Sequence, residues 1–155
     1  MIAVLRRRDF ALLWTAGLIS LLGDSVLRVA LPFYVYQRTG SPASTGLMVI
    51  VETLPQILFG SVAGVFVDRW DRKRTLVVAD LLRAGLLLLL PLTTSDNWFW
   101  LLYAVAFLQA TTGQFFFPAR STPLTRLVDE ERLLAANSLE FVNAETIRLI
   151  GPPLG

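Results

Sequence analysis

The amino-acid sequence predicts an all-α protein, a bundle of helices that cross a membrane several times. Of its 155 residues, 54% are hydrophobic and only 17% are charged, and the mean hydropathy is +0.58. Ordinary soluble domains have a more polar balance. The apolar residues also form long blocks separated by short polar segments, instead of recurring at the period of an amphipathic helix or strand. Blocks of this kind suit a bilayer core, which takes about 20 helical residues to cross.

The composition also excludes several kinds of active site. The chain contains no Cys and no His. A disulfide framework, a Cys/His metal or haem site, a thiol nucleophile and a Ser-His triad are therefore absent. No carboxylates stand at the spacing of metal ligands. We accordingly expect no cofactor, no metal and no nucleic-acid partner, and an integral-membrane enzyme is the least favoured class.

Five helices are expected, of which four span the membrane and the fifth is mostly present. The predicted boundaries are 10–36, 42–67, 75–94, 98–118 and 130–155. The first block is too long for a cleaved signal peptide, carries Asp24 and lacks a small-residue cleavage site after it. For the second helix, Ser41 provides an N-cap and Pro42 takes the first helical position. Trp98 and Trp100 place aromatic rings where the fourth helix enters the membrane.

The fifth block differs from the others because it has a polar face. Acidic residues at 129–131 stand at its predicted N-terminus, where negative charge is favourable. At about 100° per residue, Asn137, Glu140 and Arg148 fall within one arc of this helix. The sequence ends before the block could complete a span, so we expect it to be the front part of a longer protein.

Basic residues in the connections predict the orientation. Arg38 is the single basic residue in the first and third connections, whereas ten occupy the N-terminus and the second and fourth connections. The ten are Arg6, Arg7, Arg8, Arg69, Arg72, Lys73, Arg74, Arg120, Arg126 and Arg132. Cytoplasmic loops carry the excess of Lys and Arg. This indicates a multi-pass protein of the cell (inner) membrane with a cytoplasmic N-terminus.

Two carboxylates are predicted near the middle of the membrane. Asp24 lies about 14 residues into the first helix and Glu52 about 10 into the second, which gives similar depths at 1.5 Å per residue. Two carboxylates at one depth could share a proton, as a proton-coupled carrier requires. Asp24 has a structural alternative, an ion pair with Arg28 four residues later. Glu52 has no basic residue on its own helix, which favours a functional role.

Other polar groups inside the blocks are less specific. Asp80 and Arg83 stand three residues apart, close to the cytoplasmic end of the third helix, and we expect a local ion pair. Gln109 and Gln114 of the fourth helix either face a substrate path or form hydrogen bonds between helices. The sequence leaves both roles open for the two glutamines.

The charged segment between the second and third helices carries a motif. An acidic residue at a helix C-terminus opposes the helix dipole, so Asp68 implies a partner elsewhere; the alternative is a solvated loop that only obeys the positive-inside rule. The segment resembles the Gly-x-x-x-Asp-Arg/Lys-x-Gly-x-Arg/Lys-Arg/Lys loop of the major facilitator superfamily. The matching residues are Gly64, Asp68, Arg69, Lys73 and Arg74. Asp71 replaces the second glycine, so the turn must be made differently.

Further stretches are similar to bacterial drug and siderophore exporters of that superfamily, such as enterobactin exporters. They lie at 22–24, 29–32, 39–42, 79–84, 117–120 and 135–139. Gly151, Pro152 and Gly155 resemble the fifth-helix motif of drug/proton antiporters. Many such antiporters have an arginine in the fourth helix, and block 98–118 has none. That difference weakens the case for proton coupling or moves it to Asp24, Arg28 and Glu52.

The resemblance implies efflux of a small drug or siderophore-like molecule by alternating access, with proton antiport. Asp68 and Arg69 would then form a cytoplasmic latch against a second half that the sequence lacks. One alternative is a truncated, transport-inactive membrane protein or pseudogene product that acts only as a partner. A small homo-oligomeric multidrug carrier is disfavoured by the fifth helix and by the long connection 119–132.

Overall fold

A computed structural model describes residues 8–67, 69–95, 98–126 and 142, with side chains described between 15 and 116 except at 68, 72, 73, 96 and 97. Apart from residue 142, the predicted fifth helix, 130–155, with Gly151, Pro152 and Gly155, lies outside the described residues. The same holds for Asp68 and for the side chain of Lys73.

Four α-helices and one 3-10 helix make up the described chain. They are α1 (Arg8–Thr39), α2 (Pro42–Val67), α3 (Arg72–Leu87), the 3-10 helix Leu90–Thr94 and α4 (Trp100–Arg126). The described residues contain no strand, and the predicted all-α fold is confirmed. The helices continue through Pro32 and Pro55. Likewise α4 runs past Pro118, where the sequence predicts its end.

The chain divides into two units, one formed by Met1–Ala30 with Arg120–Gly155 and the other by Leu31–Ala119. The second unit has a small interior. The largest of its side chains with less than 2% exposed are Val35, Met48, Pro55, Val67, Thr93, Leu102 and Val105. These residues come from every helix except α3, which contributes Leu76 and Ala79 at slightly higher exposure.

The turn between α1 and α2 takes only two residues. Gly40 adopts a φ of 61°, a conformation that costs glycine little, and its N–H donates to the carbonyl of Tyr36 at 2.8 Å. Ser41 then accepts a hydrogen bond on its Oγ from the N–H of Ser44 at 3.3 Å. The predicted N-cap of α2 is thus present.

Two hydrogen bonds close the same end of the second unit. Arg38 donates from Nη2 to the carbonyl of Thr94 at 2.7 Å, which joins the end of α1 to the 3-10 helix. Tyr103 donates from its hydroxyl to the carbonyl of Ser44 at 3.3 Å, which joins α4 to α2. The turns α1–α2 and α3–α4 therefore meet at one end of this unit.

Three described helices are long and apolar enough to cross a membrane: Thr15–Thr39, Pro42–Val67 and Arg74–Thr94. Between 11% and 17% of the 18-residue window that defines each span is buried inside the protein, so few of the side chains in these windows are fully enclosed. A lipid environment favours this arrangement, since it removes the cost of exposing apolar surface to water. Although α4 has 27 residues, it is not among the three, because Gln109, Gln114 and the residues between them lower its hydropathy.

Candidate functional site

The charged turn between α2 and α3 is short and tightly bonded. Immediately after α2, the N–H of Arg69 donates to the carbonyl of Phe66 at 3.1 Å. The N–H of Trp70 donates to the carbonyl of Val67 at 3.2 Å. These bonds satisfy carbonyls that a helix C-terminus would otherwise leave without a partner. The backbone at Arg69 and Trp70 is therefore held against the end of α2.

Asp71 starts α3 as its N-cap, with an extended backbone (φ −68°, ψ 109°). Its Oδ1 accepts a hydrogen bond from the N–H of Arg74 at 2.8 Å. Its carbonyl accepts from both the N–H and the Oγ1 of Thr75, each at 2.9 Å. The Asp71 side chain thus stabilises the turn into α3 by capping the helix, whereas a glycine at this position would allow the turn through its wider range of backbone conformations. No left-handed residue is needed, and no described non-glycine residue has a positive φ.

An aromatic cluster of Phe59, Phe66, Trp70 and Phe115 joins the turn to its neighbours. Trp70 stacks on Phe115 of α4, with ring centroids 6.1 Å apart and planes inclined by 21°. Trp70 also lies 6.0 Å from Phe66, and Phe59 lies 6.5 Å from Phe115. Trp70 occupies a variable position of the motif, so sequence reasoning missed it. The four-residue spacing of Phe66 and Trp70 was the available signal.

A groove with a volume of about 650 Å³ lies beside this cluster, between the turn, α3 and α4. Arg69 and Arg74, both exposed, are among its lining residues, as are Trp70, Val78 and Phe115. The groove thus combines basic side chains with a largely apolar lining.

The motif glycine Gly64 makes no close approach within the described part of the chain. A Cβ atom added there would meet no atom within 4 Å. One turn earlier, a Cβ added to Gly60 would lie 3.7 Å from Oε1 of Gln114, an ordinary contact. Gln114 itself donates to the carbonyl of Ala110 on its own helix at 3.3 Å.

Arg83 and Gln109 form a buried connection between α3 and α4. They are 6% and 8% exposed. Gln109 donates from Nε2 to the carbonyl of Arg83 at 3.0 Å, and the Arg83 guanidinium lies 5.2 Å from the ring centroid of Phe116. Gln109 therefore bridges helices, one of its two predicted roles. Its Oε1 is buried without a hydrogen-bond partner among the described residues. The ion pair of Arg83 with Asp80 stays a prediction.

The predicted coupling residues lie in different units of the chain. Asp24, which is partly buried, and Arg28, which is exposed, stand one turn apart on α1 in the first unit. Glu52, also partly buried, stands on α2 in the second. Proton sharing between Asp24 and Glu52 therefore stays a prediction.

Comparisons with known proteins agree on one family. The family model of the Major Facilitator Superfamily matches residues 13–155. An uncharacterised transporter of this type from Bacillus subtilis (strain 168) is 29% identical over 98% of this chain and 36% of its own length. Macrolide efflux protein A of Streptococcus pyogenes is 32% identical over 80% of the chain and 31% of its length. Multidrug efflux pump Tap of Mycobacterium bovis is 31% identical over 90% of the chain and 35% of its length.

The chain spans about a third of the length of these curated relatives. No solved structure matches it significantly. The family match covers nearly the whole chain, the described helices include three that are long and apolar enough to span a membrane, and the relatives are named as transporters and efflux proteins. The chain thus belongs to a family of multi-pass membrane transporters, the major facilitator superfamily.

Proposed function

We propose that this chain is the N-terminal part of an exporter that moves an amphipathic drug-like molecule out of the cell across the inner membrane. The relatives named for macrolide and multidrug efflux support this substrate class. In this proposal the N-terminus and the α2–α3 turn are cytoplasmic, because ten basic residues lie on that side and Arg38 alone lies on the other.

The observation that carries the proposal is the geometry of the α2–α3 turn. Asp71 caps α3, and Trp70 stacks on Phe115 of α4, so the turn is fixed to two helices at once. Arg69, an exposed residue, is therefore part of a turn that is held in place. A rigid charged turn suits a latch that forms in one state of an alternating-access cycle and breaks in the other. Asp68 and Arg69 form this latch in our proposal.

Proton antiport is the second part of the proposal. A carboxylate inside a membrane span is costly unless it has a partner or serves transport. Glu52 stands 10 residues after the start of α2, a depth near the middle of that candidate span. In this scheme Glu52 takes up and releases the coupled proton, with Asp24 and Arg28 of α1 as further candidates.

The test is drug efflux by the full reading frame in a strain that lacks its own exporters. Glu52→Gln should abolish efflux driven by an imposed pH gradient, because an amide cannot carry the proton. Gln56→Asn, at an exposed position one turn further along α2, is the matched control and should retain efflux. Efflux by Glu52→Gln that responds to the pH gradient as the parent does would remove Glu52 from the mechanism.

The same strain distinguishes the transport-inactive alternative. Residues 1–155 expressed alone should give no resistance, whereas the full reading frame should restore it. Resistance from neither would favour a partner role for the chain, and resistance from residues 1–155 alone would show that they transport without a second half.

A further inference from the structure

The groove beside the α2–α3 turn has a polar rim and an apolar interior, arranged by depth. Arg69 lies in the turn, and Arg74 is the first residue of the third candidate span. Val78 and Leu82 follow Arg74 at intervals of four residues on α3, and both line the groove. At 1.5 Å per residue, Leu82 lies about 12 Å further along the helix axis than Arg74. If the third span enters the bilayer at Arg74, the two arginines stand at headgroup level and Val78 and Leu82 at acyl-chain level.

The apolar side chains in the groove are open to a ligand. Trp70, Val78 and Leu82 are 51%, 54% and 56% exposed. The threonine hydroxyl groups in the lining have no free proton to donate to a polar ligand, because each already donates to a backbone carbonyl one turn earlier. Thr75 donates to the carbonyl of Asp71, Thr111 to that of Phe107 and Thr112 to that of Leu108. Below the rim the groove is therefore suited to hydrocarbon.

The rim favours an anionic ligand. Among the described lining residues, Asp71 is the only acidic one, and its carboxylate accepts a hydrogen bond from the N–H of Arg74. The two arginine side chains can therefore attract a negative group. A basic site at the cytoplasmic end of transmembrane helices is a favourable place for the phosphate of a lipid headgroup. A soluble anion would leave the apolar part unused, and a neutral lipid would leave the arginines unmatched.

From this arrangement we propose that the groove binds one anionic phospholipid of the surrounding bilayer. Its phosphate lies between Arg69 and Arg74, and an acyl chain lies along Trp70, Val78 and Leu82. The inference goes beyond the proposed export function, because it requires neither a transported substrate nor proton coupling. It assigns a lipid site to the cytoplasmic motif of this chain.

Trp70 provides the readout for the test. The chain has four tryptophans, so the variant Trp14→Phe, Trp98→Phe and Trp100→Phe leaves Trp70 as its single tryptophan, which is excited selectively over the tyrosines. This variant is placed in vesicles of neutral phosphatidylcholine with a minor fraction of phosphatidylglycerol in both leaflets. In one set of vesicles the phosphatidylcholine carries brominated acyl chains, and in the other set the phosphatidylglycerol does. Brominated phosphatidylglycerol should quench Trp70 more strongly per brominated lipid. The expected preference is about fivefold per arginine and up to roughly 25-fold for the pair.

Arginine variants in the single-tryptophan chain provide the controls. Arg69→Gln with Arg74→Gln should remove the preference, whereas Arg69→Lys with Arg74→Lys should keep most of it. Arg74 contributes its backbone N–H to the cap, so neither pair removes the cap of α3. Arg69→Gln alone should reduce the preference for phosphatidylglycerol about fivefold. This single variant replaces the glutamine pair in the test if the pair does not fold.

Three results would overturn the proposal: equal quenching by both lipid classes, a preference that persists in the glutamine pair, or no quenching of Trp70 by either lipid. The last result would mean that protein covers the groove, either a further segment of a longer chain or a second copy. None of these readouts depends on transport, so failure of the lipid site and failure of the exporter proposal are separable.

Discussion

Replacing Asp71 tests whether a cap has taken the place of the motif glycine. Asp71→Ala removes the acceptor of the 2.8 Å bond from the Arg74 N–H, and losing an N-cap costs about 1 kcal/mol. Asp71→Asn keeps an equally good capping oxygen and loses only the favourable charge at the helix N-terminus, about 0.3–1 kcal/mol. Asp71→Gly should cost only a few tenths of a kcal/mol. The expected order of stability is therefore Asp, then Gly and Asn close together, then Ala.

Hydrogen–deuterium exchange measures this effect locally. In lipid nanodiscs, the peptide that contains the first turn of α3 should exchange about fivefold faster in Asp71→Ala, since 1 kcal/mol corresponds to about that factor. The control is Ser41→Ala, which removes the cap of α2 and should accelerate exchange there and not in α3. Equal exchange of this peptide in Asp71→Ala and in the parent would refute the capping argument.

Two further predictions concern the contacts of α4. Trp70→Ala should lower the free energy of unfolding in detergent by about 0.5–1.5 kcal/mol through lost stacking on Phe115, beyond the effect of buried area. Trp70→Phe should recover much of this, and an alanine variant as stable as the parent would contradict the stacking. Gln109→Leu should change the free energy of unfolding by less than about 1 kcal/mol, because it gives up one hydrogen bond and also removes a buried acceptor without a described partner. A loss above about 2 kcal/mol would show that Oε1 has a strong partner outside the described residues.

The apolar blocks indicated where the described helices lie, because hydrophobic length is a property of the local sequence. The single helix predicted over 75–94 is instead α3, ending at Leu87, and the separate 3-10 helix Leu90–Thr94. Ser41 and Pro42 likewise marked the start of α2 correctly. The end of α4 was placed too early, at Pro118, because proline lacks an N–H group and usually ends a helix in water. Helices in membrane proteins continue through proline more readily, and α4 runs to Arg126.

The contacts that define the candidate site could not be predicted in the same way. Burial of Arg83 against Phe116 depends on the rotation of α3 relative to α4, which no local pattern determines. The same is true of Trp70 on Phe115. Asp71 is different, since aspartate is a strong N-cap residue and its position before a helix was visible. In the sequence, Asp71 was interpreted only as the loss of the motif glycine, and the N-cap that its carboxylate provides for α3 was overlooked.

The two-residue turn at Gly40 and Ser41 has a mechanical consequence. Such a short connection, with Gly40 bonded back to Tyr36, lets the last turn of α1 and the first turn of α2 move only together. When α2 changes its angle to the last turn of α1, the displacement of each residue grows with its distance from Gly40. A small rotation at Gly40 therefore becomes a large displacement at the far end of α2, next to Arg69.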